Sequence, residues 1–105
     1  MLIENFENKT VAIKLTTGDE LIAKLVKSTE DTVDLYKPLS VMMSPTPQGI
    51  NVLMFPWIAG IGEDETVTLN KQFIVVIHKA LKSMEDNYQA QTSKIKPVKS
   101  SIITG

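Results

Sequence analysis

The sequence predicts a small, mainly β, antiparallel domain with a short helix at its N-terminal end and a longer one near its C-terminal end. Three observations carry this. Residues 11–16 alternate apolar and polar, Gly, Pro and Asp clusters recur at short intervals, and two segments, 52–58 and 73–77, are rich in β-branched and aromatic residues.

At the start, Leu2, Ile3 and Phe6 fall at helical spacing, with Glu4 and Glu7 suited to an early helical turn. The period then changes. Val11, Ile13 and Leu15 alternate with Ala12, Lys14 and Thr16, the pattern of a half-buried strand. Thr17-Gly18-Asp19 makes the turn, and a second strand runs from Glu20 to Lys27. After Glu30-Asp31, Val33 and Leu35 begin a third strand that Pro38 bends and that continues through Leu39, Val41 and Met43, completing a meander. Ser44 to Gly49 is a loop by composition.

A fourth strand is expected over Ile50–Ile58, with Pro56 at an edge, a bulge or its end, and Gly60 to Glu65 forms a second loop. The fifth starts at Thr66, meets a tight turn or irregularity at Asn70-Lys71-Gln72, and continues through Phe73–Ile77. Ala80, Leu81, Met84 and Tyr88 define an amphipathic helix of about four turns. One domain is expected over residues 1–93, and residues 94–105 read as a loosely ordered lysine-bearing tail.

Segments 52–58 and 73–77 are apolar on both faces, whereas an antiparallel strand in a lone domain keeps one face wet. Either the terminal helices cover the second face or another copy of the chain does, and self-association is the favoured expectation.

With 43% hydrophobic and 22% charged residues the chain is composed like a globular protein, not a disordered one. It has no cysteine, which excludes disulfides, thiolate metal sites and cysteine nucleophiles, and fits a reducing compartment. The net charge of −1 is unlike a protein that grips phosphates with its whole surface. Distribution softens that point: residues 1–78 carry 6 Lys against 10 acidic residues, a net of −4, and residues 79–105 carry 5 Lys against 2, a net of +3. Lys94, Lys96 and Lys99 hold most of the positive end. The first residues lack the basic start and apolar run of a signal peptide, and no stretch approaches the roughly 20 apolar residues of a membrane span. A cytoplasmic, soluble protein is expected.

Catalytic chemistry finds little footing. The single histidine, His78, follows an apolar strand with no nucleophile motif beside it, so it reads as structural. The acidic groups Glu63-Asp64-Glu65 and Glu30-Asp31 with Asp34 do not match calcium-loop spacing. Gly60-Ile61-Gly62 lacks the third glycine of a dinucleotide fingerprint. Phe55, Trp57 and Phe73 offer ring faces for bases, but their apolar surroundings favour packing. No enzyme, no metal and no cofactor are expected.

The order of elements, with Val11-Ala12-Ile13-Lys14-Leu15-Thr16-Thr17-Gly18, Glu20-Leu21-Ile22-Ala23-Lys24-Leu25, Glu30 to Leu35 and Val67 to Ile74, resembles the Sm-like family, which includes bacterial host-factor RNA chaperones and phage-encoded relatives. The resemblance covers roughly residues 2–78. It implies a small, five-stranded, strongly bent antiparallel barrel of Sm-like or SH3-like type, whose copies join strand four to strand five into a homo-oligomeric ring. It also implies single-stranded RNA as a partner.

The family's uridine pocket uses a stacking residue, an asparagine two positions later, and an arginine–glycine pair before the final strand segment. Those positions fall on Thr32, Asp34, Asn70 and Lys71, the candidate RNA-binding residues. Thr32 has no ring, and an ionised Asp34 cannot donate a hydrogen bond. The implied pocket is therefore non-standard. The alternatives from other classes are a scaffold with this fold that binds no RNA, and an SH3-like monomer that binds peptides.

Overall fold

The computed structural model describes residues 3–62 and 65–93. Six strands build one antiparallel sheet: β1 Thr10–Leu15, β2 Glu20–Ser28, β3 Thr32–Thr46, β4 Gly49–Pro56, β5 Thr66–Asn70 and β6 Ile74–Lys79. One helix, α1 Lys82–Thr92, follows. The strand order is β4-β3-β2-β1-β6, with β5 paired to β3.

β3 organises the sheet. Its first half, Thr32 to Tyr36, pairs with β5, and its second half, Leu39 to Thr46, pairs with β4. Between the halves Lys37 has a φ of 50°, a left-handed conformation costing a side-chain-bearing residue about 1–2 kcal/mol. The surroundings hold it there. Lys37 Nζ donates to the Thr92 carbonyl at 2.8 Å, and the Trp57 N–H donates to the Pro38 carbonyl at 3.2 Å. The bend expected at Pro38 is thus real, with a register shift between β2 and β3 beside it.

The sheet curls but does not close. In a flat sheet, β5 beside β3 and β6 beside β1 would lie four strand spacings of about 4.8 Å apart, roughly 19 Å. A single 3-10 turn, Lys71–Phe73, joins them, and at about 2 Å per residue it spans roughly 8 Å. The sheet must fold over on itself to allow this. Within the curl Val11, Ile13, Leu21, Leu25, Val33 and Leu35 are essentially fully buried, and Phe6, Trp57 and Ile74 pack against that core. A second, smaller core of Ile22, Leu39, Val41, Met54 and Tyr88 lies elsewhere, with Ala80 and Met84 packed against it.

Five expectations need correction. The loop expected from Ser44 to Gly49 shrinks to a tight turn at Pro47-Gln48, because β3 continues through Thr46 and β4 begins at Gly49. Among the described residues there are six strands, not five, because Lys71–Phe73 forms a 3-10 turn that separates β5 from β6. The sheet is open instead of forming a closed barrel, since among the described residues β4, β5 and β6 each pair on one side only. The N-terminal helix is a 3-10 turn of four residues, Ile3–Phe6. The C-terminal helix begins after Leu81, which stands at its N-cap in an extended conformation with no side-chain cap bond. The tail expected beyond residue 93 and the acidic pair Glu63-Asp64 lie outside the described residues. No helix among the described residues is long and apolar enough to cross a membrane.

Candidate nucleic-acid interface

Thr32, Asp34, Asn70 and Lys71 come together where β3 begins and β5 ends. Thr32 and Asn70 are directly opposed cross-strand partners, and Asp34 opposes Thr68. Opposed residues share a sheet face, so Thr32, Asp34, Thr68 and Asn70 form one polar ladder. Val33 and Leu35 between them are fully buried on the other face. Lys71 follows at once, its backbone N–H donating to the Asp31 carbonyl at 2.8 Å and tying the 3-10 turn to the β2–β3 turn.

The hydrogen bonds of this ladder are largely internal. Thr68 Oγ1 donates to Asp34 Oδ1 at 2.8 Å. Asn70 Oδ1 accepts from the Gln72 N–H at 3.0 Å, capping the turn. The Thr32 and Thr29 hydroxyls are 2.7 Å apart, and Thr29 Oγ1 also accepts from the Thr32 N–H at 3.0 Å. These bonds leave the Asn70 amide nitrogen as a donor and the Lys71 ammonium as the local cation. A phosphate or the edge of a base suits those two groups. The Asp34 carboxylate works against phosphate. No aromatic ring belongs to the ladder's four residues, so stacking on a base has to come from elsewhere or not at all.

The aromatic residues and the histidine considered from the sequence fall elsewhere. Trp57 packs against the main core, while Phe55 and Phe73 are exposed. His78 is exposed on β6, its Nδ1 3.1 Å from the Lys79 carbonyl oxygen and its ring 5.7 Å from that of Phe6. Among the described residues no three His, Asp or Glu side chains gather as a metal would require.

The two doubly apolar segments expected from the sequence lie at the sheet's rims, and what sequence reasoning missed is their lack of charged guards along β4. β4 exposes Ile50, Leu53 and Phe55, and β6 exposes Val75 (60%) and Val76 (50%), each on a strand with an unpaired edge. From Pro38 to Gly62 the chain carries no Asp, Glu, Lys, Arg or His over 25 residues, although 22% of the whole chain is charged. Natural edge strands are usually guarded by charge, Lys above all, and β4 has no such guard. That run of uncharged residues was the available signal.

The chain matches no protein-family model, and no curated protein matches it either.

Proposed function

We propose that this chain is the subunit of an Sm-like homo-oligomeric ring that associates with single-stranded RNA. The observation that carries the reading is that two of the open strand edges among the described residues, β4 and β6, are both lined with exposed apolar side chains. An unpaired edge presents backbone donors and acceptors that another strand satisfies best. Because the two edges are different surfaces, pairing β4 of one copy with β6 of the next is directional, and directional contacts close into rings when the rotation allows. The strong curl of the sheet supports a bent, barrel-like subunit.

RNA association rests on the polar ladder. Four positions distant in sequence meet at one end of the sheet, with Lys71 and the Asn70 amide as the recognising groups. A chain without cysteine suits the reducing, cytoplasmic setting of such a protein. The test is a gel-retardation series with U-rich, A-rich and mixed single-stranded RNA at about 50 mM salt. Retardation that is lost as salt rises is expected, since phosphate contacts release counterions. No retardation of any of the three at micromolar protein overturns RNA association.

A second reading is an oligomeric scaffold of the same fold that binds protein and no nucleic acid. The internal bonding of Thr32, Asp34 and Asn70 favours it, because these bonds occupy much of the recognition capacity of the ladder. An oligomer that purifies without RNA and retards none in the same series selects this reading.

A further inference from the structure

β3 and β4 extend past the rest of the sheet as a two-stranded arm. The last β3 residue paired with β2 is Ser40, and from Val41 to Thr46 the strand has only β4 beside it. That is roughly 17 Å of ribbon at about 3.3 Å per residue. Cross-strand partners assign its faces. Val41 with Met54, Met43 with Val52 and Pro45 with Ile50 share one face, which carries the small core under α1. Met42 with Leu53 and Ser40 with Phe55 share the other. A two-stranded ribbon is at best marginal in water, and this one lies wholly within the charge-free run. Ile50 near its tip is 69% exposed.

The same chain also carries an apolar groove. Ala12 and Ile22 of the sheet, Val41 and Met43 at the base of the arm, and Leu81 and Met84 at the start of α1 line it, with Glu20 as its one charged member. Its volume is about 140 Å³, below the roughly 300–1,000 Å³ typical of small-molecule sites. That is room for one or two side chains. Leu81 on its border is 74% exposed.

We propose that the groove beside Leu81 receives the arm tip of a second copy, centred on Ile50. The inference deepens the assembly reading and rests on it. The arm's composition selects the occupant. A charge-free tip brings no unpaired charge into the groove and sets none against Glu20. An open strand edge does not enter lipid, where its backbone groups would go unsatisfied, so a membrane is a poor partner for the arm. The chain's own Ile50 sits two residue pairs further out along an extended ribbon than the Met43–Val52 pair, and it stays exposed in the isolated subunit.

The absence of cysteine makes the test direct. Two single variants, Ile50→Cys and Leu81→Cys, are prepared with tags of different size. Both positions are exposed, so folding is retained. Each variant alone and a mixture refolded together are treated with a short thiol-to-thiol crosslinker, and the mass of the uncrosslinked protein is measured in parallel. Covalent heterodimers in the mixture, several-fold above the dimers from either variant alone, are expected. An oligomer whose mixture yields no heterodimer overturns the arm-in-groove contact and leaves edge assembly standing. Homodimers from Ile50→Cys alone indicate tip-to-tip contact and overturn the proposal. A monomeric mass for the untreated protein removes both the contact and the ring.

Discussion

Tyr88→Phe removes one oxygen atom from a site where the sheet depends on it. The register shift between β2 and β3 places Lys24 opposite Tyr36 just before the bend. At that point Tyr88 of α1 supplies a hydroxyl that accepts from the Lys24 N–H at 3.2 Å and donates to the Tyr36 carbonyl at 2.6 Å. Tyr88 is only 3% exposed, so its oxygen is not readily replaced by water. A partly buried donor deprived of its acceptor costs about 1–3 kcal/mol, and the loss of the second bond adds to this. We expect Tyr88→Phe to destabilise the fold by about 2 kcal/mol. At about 4–8 °C per kcal/mol for a domain of this size, Tm falls by roughly 8–16 °C.

Tyr88→Ala also empties the ring's place in the second core, and its total cost rises to about 4–5 kcal/mol. Burial, acting first, pushes the Tyr88 hydroxyl up to about 12, against a partial lowering by the Lys24 backbone bond. The folded value lies above the ordinary tyrosine value of about 10. The bond's contribution is therefore complete below pH 10 and is lost as pH climbs toward 12. Urea unfolding at one fixed protein concentration, at pH 7.5 and then between pH 9.5 and 11.5, measures both effects. If Tyr88→Phe stays within 0.5 kcal/mol of the parent at pH 7.5, the hydroxyl does not bridge the strands as described.

Other perturbations follow from the same geometry. Gly18 has a φ of 95° and open space where a Cβ would stand, so Gly18→Ala should cost only the backbone term, about 1 kcal/mol, read by the same unfolding assay. Leu35 is fully buried in the main core, and Leu35→Ala should cost about 2–5 kcal/mol by thermal melting. Lys71→Ala should weaken RNA retardation and reduce the slope of log affinity against log salt by roughly 1, with no change in oligomer mass. Val76→Glu places an unpaired charge on the exposed edge of β6. It should lower the mass in solution while leaving the circular dichroism of the subunit unchanged.

Much of the fold was legible because β1 and the first half of β3 alternate and the turns beside them carry Gly and Asp. The split of β5 from β6 was visible only as an irregularity at Asn70-Lys71-Gln72. Whether such a spot is a bulge or a full break depends on β5 and β6 pairing with different strands, which no local pattern encodes. The start of α1 was misplaced because Ala80 and Leu81 fit helical spacing, although Leu81 stands outside the helix as its cap. The Tyr88 bridge left no trace in the sequence, since its partners are backbone groups set by a register shift. Thr32, Asp34, Asn70 and Lys71 do meet, yet residues nearly forty positions apart were linked only by a family resemblance and by no periodicity. The charge-free run from Pro38 to Gly62 was readable throughout. Its meaning depends on the arm's projection past β2, a fact of three dimensions.

The mass of the purified protein in solution, measured by light scattering together with the ratio of absorbance at 260 and 280 nm, bears most directly on the account. Open apolar edges on β4 and β6 predict a discrete assembly of several 11.6 kDa chains, and the polar ladder with Lys71 predicts co-purified nucleic acid. A clean monomer at high concentration, free of nucleic acid, would contradict it.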